Sequence, residues 1–351
     1  MKNLKSISNR PLFNSSRLNW LTLFFIPVFI ALIFRNGINF IGQDYYALGW
    51  AKEWPKPTST YSVENAGNII LAKLFSVDSR VSWMLMHLVL TFLLLFLVLA
   101  YCSFQESSYE QKQTIFFLII TSPLTMMIMQ QIGWHDVITI IGAVILAFSD
   151  RTLLRVVGTS IMCLGNTPQA LVSTFLFGLL LNTILNLNTK FNLKFFVPFL
   201  FALGIWILER FWLGGVGREG EFFQPGFWVY SIKGFIIASP LYLYALLGPT
   251  WLITINAWEK LKISHKKQSF TVITLILVIP GIFGIITTDS SRDAYCIMAP
   301  LLLWFFKYMV IDQKFSLNRI QKITLILLPC FMVYRQGEII PPWGVLEIFF
   351  F

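Results

Sequence analysis

Residues 80–101 read RVSWMLMHLVLTFLLLFLVLAY. One charge opens the run and none follows for the length of a bilayer crossing, about 20 residues in a helix. The run lacks the two-residue alternation of a barrel strand, so it reads as a membrane-spanning helix. Similar runs recur on both sides of it. The reading is of about 11 spans, at 18–35, 80–101, 114–131, 135–149, 152–163, 168–186, 195–213, 230–256, 270–288, 293–311 and 323–336. Composition agrees. Hydrophobic residues make up 56% of the 351 and charged residues 13%, against about 25% charge in soluble chains. The expected fold class is all-α, a polytopic transmembrane helix bundle forming one integral membrane domain over 1–351.

The first run is too long for a signal peptide and lacks a small-residue cleavage site, so it reads as a retained helix. An outer loop at 36–79 follows it. Two stretches there, around Tyr45–Trp50 and at 66–76, have apolar faces that suit helices lying in the interface, separated by Pro55-Lys56-Pro57. A second outer loop covers 214–229. The four cysteines, Cys102, Cys163, Cys296 and Cys330, stand singly in or beside apolar runs. They read as small buried hydrophobes, with neither metal-ligand spacing nor a disulfide framework.

A net charge of +10 in a soluble chain suggests nucleic acid. Here the basic residues sit in short loops, which points to topology and to no nucleic-acid partner. With the N-terminus in the cytoplasm, 17 of the 27 Lys and Arg face inward, and five of the 17 acids do. The expected placement is an inner (plasma) membrane with the functional face outward.

That orientation puts four polar clusters on one face: Gln43-Asp44-Tyr45-Tyr46, Gln130 to Asp136, Gly165 to Gln169, and Thr288 to Asp293. Acids near a bilayer are costly and tend to mark function. An acid can serve as general base toward a hydroxyl or hold a divalent metal. An arginine can grip a phosphate at two points. Each residue also has a plainer reading. Asp44 would serve as a helix N-cap or in an interfacial ion pair, Asp136 as an N-cap, and His135 would cap or hydrogen-bond. Arg292 would snorkel or pair with Asp289, and His87 would pack between helices. Glu209 and Arg210 would form a local pair, Glu219 and Glu221 would belong to a solvated loop, and Lys307 would snorkel inward.

Three features resemble the GT-C superfamily of membrane glycosyltransferases. They are the acid and aromatics after the first span (Asp44-Tyr45-Tyr46), the Gly133-Trp134-His135-Asp136 turn opening the fourth, and the Asp289-x-x-Arg292 turn before a span with Pro300. The resemblance implies a polyprenyl-phosphate-linked sugar donor and a lipid or glycan acceptor, used on the non-cytoplasmic face among membrane lipids. It implies that Asp44 deprotonates or orients the acceptor hydroxyl. His135 and Asp136 are the further catalytic candidates. Arg292 and Arg218 are the candidates for the donor phosphate. Gln43, Tyr45, Tyr46, Asn166, Gln169 and Asp289 are the candidates for substrate contact. No cofactor beyond a divalent metal is indicated. The competing readings are a transporter or flippase and a polysaccharide polymerase or ligase.

Overall fold

The computed structural model describes residues 26–39, 63–104, 107–185, 192–212, 225–264, 268–287, 290–333 and 339–340. The chain forms α1 (Ile26–Asn36), α2 (Ala66–Leu74), α3 (Arg80–Phe104), α4 (Tyr109–Ile120), α5 (Pro123–Gln130), α6 (Asp136–Phe148) and α7 (Thr152–Leu185). A 3-10 turn at Leu193–Phe196 leads into α8 (Val197–Trp212), followed by α9 (Pro225–Leu247) and α10 (Trp251–Ser264). Then come α11 (Ser269–Ile273), α12 (Ile279–Ile286), α13 (Ser290–Ile311) and α14 (Arg319–Leu327), with a small antiparallel pair β1 (Met332–Val333) and β2 (Ile339–Ile340).

Among the described residues, five stretches are long and apolar enough to cross a membrane: Arg80–Cys102, Thr152–Leu185, Leu193–Trp212, Ser269–Ile286 and Ser291–Ile311. The polarity of α3 is inverted relative to a soluble helix. Val81, Leu85, Val89, Phe92 and Phe96 are exposed along one stripe, while Trp83, His87 and Thr91 are buried. An apolar stripe of that length facing out is stable only against another apolar medium.

The centre is α13, which packs on α6 and on α7. The helix α7 is not one rod. Asn166 breaks it with φ −163° and ψ 104°, and the limbs 152–165 and 167–185 fold back on each other. Arg155 lies with its guanidinium 5.9 Å from the Phe177 ring. Those residues are 22 positions apart, which on a straight helix would separate them by about 33 Å. The elbow follows from its residues. Asn166 takes the extended conformation of an N-cap, and its Oδ1 accepts the Gln169 N–H at 3.0 Å. Pro168, at the second helical position, has no N–H to satisfy. The expected spans at 152–163 and 168–186 are these two limbs.

Glycine permits close crossing. A Cβ on Gly142 would stand 2.5 Å from the Gly158 carbonyl, and one on Gly158 would stand 2.6 Å from the Leu146 nitrogen. Thus the first limb runs antiparallel to α6 with the backbones nearly touching. The second limb runs parallel to α13, with Gln169 bonded to Asp293 at 2.7 Å and Ser173 to the Ile297 carbonyl at 2.8 Å. The helix α6 is also parallel to α13 and tied to it at both ends, by Asp136–Arg292 at one and Asp150–Lys307 at the other. Lys307 reaches the end of the bundle, as expected of a snorkelling lysine, bonding Asp150 at 3.0 Å. Asp150 is 84% exposed, so a Lys307→Met variant should lose no more than about 1 kcal/mol. Thermal unfolding in detergent would read this as a small shift.

Other spans are broken where the sequence reading drew them whole. The run read as 114–131 starts at Tyr109 and bends by 48° between α4 and α5, where Pro123 cannot continue the ladder. The run read as 230–256 is interrupted by the turn Gly248–Thr250. The run read as 270–288 carries a π turn at Thr274–Val278, just before Pro280.

Of the expected last span, 323–336, the described part is helical only as far as Leu327. The helix α14 ends at Leu327, Pro329 follows, and residues 328–333 lead into strand β1. Even so, the segment traverses the bundle. Lys322 bonds Gln113 of α4 at 2.9 Å, and Val333 meets Ser291 at the start of α13. Nine helical and six extended residues cover about 33 Å. Extended backbone at that depth is tolerated only when enclosed by protein, and Cys330, Met332 and Val333 are buried. Arg35, at the end of α1, is also buried. It donates to the Leu325 carbonyl at 2.8 Å and, less closely, to the Thr121 carbonyl at 3.4 Å, the C-terminal ends of α14 and α4. A cation suits helix C-termini.

Candidate functional site

Three turns that start helices meet at one end of the bundle. Gly133, at φ 112°, makes the reversal that only glycine takes without strain, and α6 begins at Asp136. The Asn166 elbow starts the second limb of α7. Ser290 starts α13. Because α6, the second limb and α13 are parallel, all three helix N-termini face the same way.

Arg292 lies at the middle of this end, 2% exposed. Its Nε donates to Asp136 Oδ2 at 2.8 Å. Its Nη2 meets His135 Nε2 at 3.3 Å, and its Cζ lies 4.2 Å from the centre of the Trp134 ring. Asn166 Nδ2 approaches the same His135 nitrogen at 3.4 Å. Arginine and an amide nitrogen only donate, so in these two contacts His135 Nε2 is the acceptor, and the same nitrogen lies 3.9 Å from Asp136 Oδ1. The Cys296 thiol donates to Asp136 Oδ1 at 3.3 Å. Gln169 Nε2 donates to Asp293 Oδ1 at 2.7 Å, and Thr167 donates to Glu209 Oε1 at 2.7 Å.

No family model, curated protein or solved structure matches this chain. The site is therefore read from its own chemistry.

Of the residues singled out from sequence, His135, Asp136, Asn166, Gln169 and Arg292 converge in one hydrogen-bonded cluster. Gln43, Asp44, Tyr45, Tyr46, Arg218 and Asp289 lie outside the described residues. Asp136 is not an N-cap. His135 holds the cap position, without a side-chain cap bond, and the Asp136 carboxylate turns inward to Arg292. Arg292 does not snorkel. It spans two helices, because a guanidinium pointed at a carboxylate from burial depth is better solvated there than in hydrocarbon. Asn166 and Gln169 serve the elbow as well as the cluster. His87 is the packing group expected, buried, with Nδ1 3.0 Å from the Trp83 carbonyl. Trp83 in turn donates to the Gly133 carbonyl at 3.1 Å and steadies the turn. In place of the local pair expected at 209–210, Arg210 reaches Glu64 at 2.7 Å and Glu209 takes Thr167.

Glu64 is the residue that sequence reading passed over. It sits just before α2 in the loop read as interfacial, and at 2% exposure it is a buried acid. The signal was available: Glu64 is the acid of Val63-Glu64-Asn65-Ala66, at the start of the amphipathic stretch. Among the described residues there is no group of three or more His, Cys, Asp or Glu placed to hold a metal.

Chemically the cluster favours an anion. It offers a guanidinium, the Trp134 indole N–H, which is buried and donates to nothing, and three helix N-termini whose partial positive charges add at one place. In the structure described, Asp136 supplies the counter-charge.

Proposed function

We propose that this chain transfers a sugar from a polyprenyl-phosphate donor to a lipid or glycan acceptor, at the bundle end that carries Arg292. The observation carrying the proposal is the meeting of Arg292, the idle Trp134 N–H and three helix N-termini. That set suits a phosphate leaving group, whose developing charge needs fixed donors. A phosphate bound here shares the guanidinium with Asp136, which keeps its bond from Arg292 Nε, and a short chain of contacts leads on to Asn166 and Gln169. In this reading the chain has about 11 crossings and an N-terminus in the cytoplasm. The site then opens to the non-cytoplasmic face of the plasma membrane, where Asp44 is the base at the acceptor hydroxyl.

The test is transfer of labelled sugar from a panel of polyprenyl-phosphate sugars by the full chain in nanodiscs. Asp44→Asn should lower the rate about 100-fold or more while leaving expression and melting unchanged. Wild-type rates in that variant would remove Asp44 from the chemistry, and transfer from no donor would remove the reaction itself.

A transporter or flippase is the second reading, and one observation favours it. The bend at Pro123, the turn at Gly248–Thr250 and the extended segment 328–333 break three elements in the interior. A Cβ on Gly248 would lie 3.0 Å from Cys330 Sγ and 3.4 Å from Pro123 Cγ, so the breaks touch. Interrupted helices that meet inside a bundle are a transporter trait. Movement of a lipid-linked sugar across liposomes without chemical change would select this reading.

A further inference from the structure

A second polar group adjoins the Arg292 cluster and shares Gln169 with it. Glu209 and Arg210 close α8, Thr167 and Gln169 open the second limb of α7, and Glu64 and Asn68 come from the chain at α2. The three elements are in close contact: a Cβ on Gly67 would stand 2.6 Å from the Leu164 carbonyl oxygen. Thr167 ties Glu209 to the elbow at 2.7 Å, and Arg210 ties Glu64 to α8 at 2.7 Å.

What remains over is a set of acceptors. Glu209 uses Oε1 for Thr167, yet its Oε2 is buried and receives no hydrogen bond. Gln169 uses its amide nitrogen for Asp293, yet its Oε1 is buried and receives none. Asn68, only 5% exposed, has the same deficit at Oδ1. A buried acceptor left without a donor costs about 1–3 kcal/mol, and more when charged. Three of them at the junction of three elements ask for a ligand rich in donors. A cation is disfavoured because Arg210 stands in the same group. Arg210 lies 5.2 Å over the Trp206 ring, so the group presents a carboxylate, amides, a guanidinium and an aromatic face together. Hydroxyl groups, which both donate and accept, match that mixture. Glu209, Arg210, Gln169 and Trp206 are half-buried rather than sealed.

The geometry points to a sugar-binding subsite formed by Glu209, Gln169 and Asn68, with Arg210 and Trp206 at its edge. It takes the hydroxyls of a glycosyl headgroup. Resting on the transfer reading above, it would hold the sugar while the phosphate lies at Arg292, since Gln169 bridges the two clusters through Asp293.

The experiment uses the full chain in nanodiscs and follows thermal unfolding. The probes are octyl glucoside, octyl mannoside and octyl galactoside below their micellar concentrations. Octyl tetraethylene glycol ether, with the same tail and no sugar, and octylammonium serve as controls. At least one glycoside should raise the melting temperature saturably where the ether does not. Glu209→Gln and Gln169→Leu should each weaken that binding about ten-fold or more. The subsite is overturned if no glycoside exceeds the ether, if octylammonium exceeds the glycosides, or if a folded Gln169→Leu binds as wild type. Glycoside binding without sugar transfer would uphold the subsite and sink the transfer reading. Sugar transfer without glycoside binding would do the reverse.

Discussion

Replacing Arg292 with methionine should lower the unfolding free energy by about 3–5 kcal/mol, because it leaves the Asp136 carboxylate buried without its partner. Asp136 is 0% exposed and Arg292 2%, so water cannot take over. The Cys296 thiol, a weak donor, is a poor substitute. The paired variant Asp136→Leu with Arg292→Met removes both charges and should recover most of the loss, since buried pairs are often neutral against well-packed apolar replacements. Equilibrium unfolding of the three proteins in one detergent gives the coupling directly. A double variant no more stable than Arg292→Met alone would show that the ion pair is not what ties α6 to α13 at this end.

The second large effect concerns the crossing of α6 with the first limb of α7. Gly158→Ala places a methyl group 2.6 Å from the Leu146 nitrogen and 2.8 Å from the Gly142 carbonyl oxygen. Both are backbone atoms and cannot swing aside. The helices must part, at a cost of about 1–3 kcal/mol for the methyl group, and Gly158→Val should exceed it. Gly204 is the internal control. Nothing lies within 4 Å of a Cβ there, so Gly204→Ala should be neutral or gain up to about 1 kcal/mol from helix propensity. Equal melting temperatures for Gly158→Ala and Gly204→Ala would contradict the close crossing.

Much of this architecture was legible in the residues. The run at 80–101, uncharged after Arg80, reads as α3 because burial on all sides, by protein or lipid, needs no polar face. The elbow at 166 was legible because Asn-Thr-Pro is cap chemistry, which acts over three residues. Charge alone put the turns of His135, Asp136 and Arg292 on one face, because polar turns of short loops stay near one bundle end; that they meet there came from the fold. What escaped were contacts between distant parts. Hydropathy treats 323–336 as uniform, yet the helix ends at Leu327, before Pro329, and strand β1 at Met332–Val333 packs against α13 and α9. Nothing local marks Gly142 and Gly158 as partners, since their match depends on how two helices cross. Glu64 was hidden by the amphipathic pattern around it, which describes a surface helix equally well.

Arg35 carries one more consequence, for the order of synthesis. It belongs to the earliest described helix, and one of its acceptors, the Leu325 carbonyl, lies 290 residues later. A ribosome has therefore translated nearly the whole chain before that acceptor exists. Until then the guanidinium has Asn36, at 2.7 Å, and the Thr121 carbonyl, at 3.4 Å, as its partners in the chain. The contact joins α14 back to α1, and a chain stopped short of residue 325 leaves the Arg35 guanidinium one acceptor short.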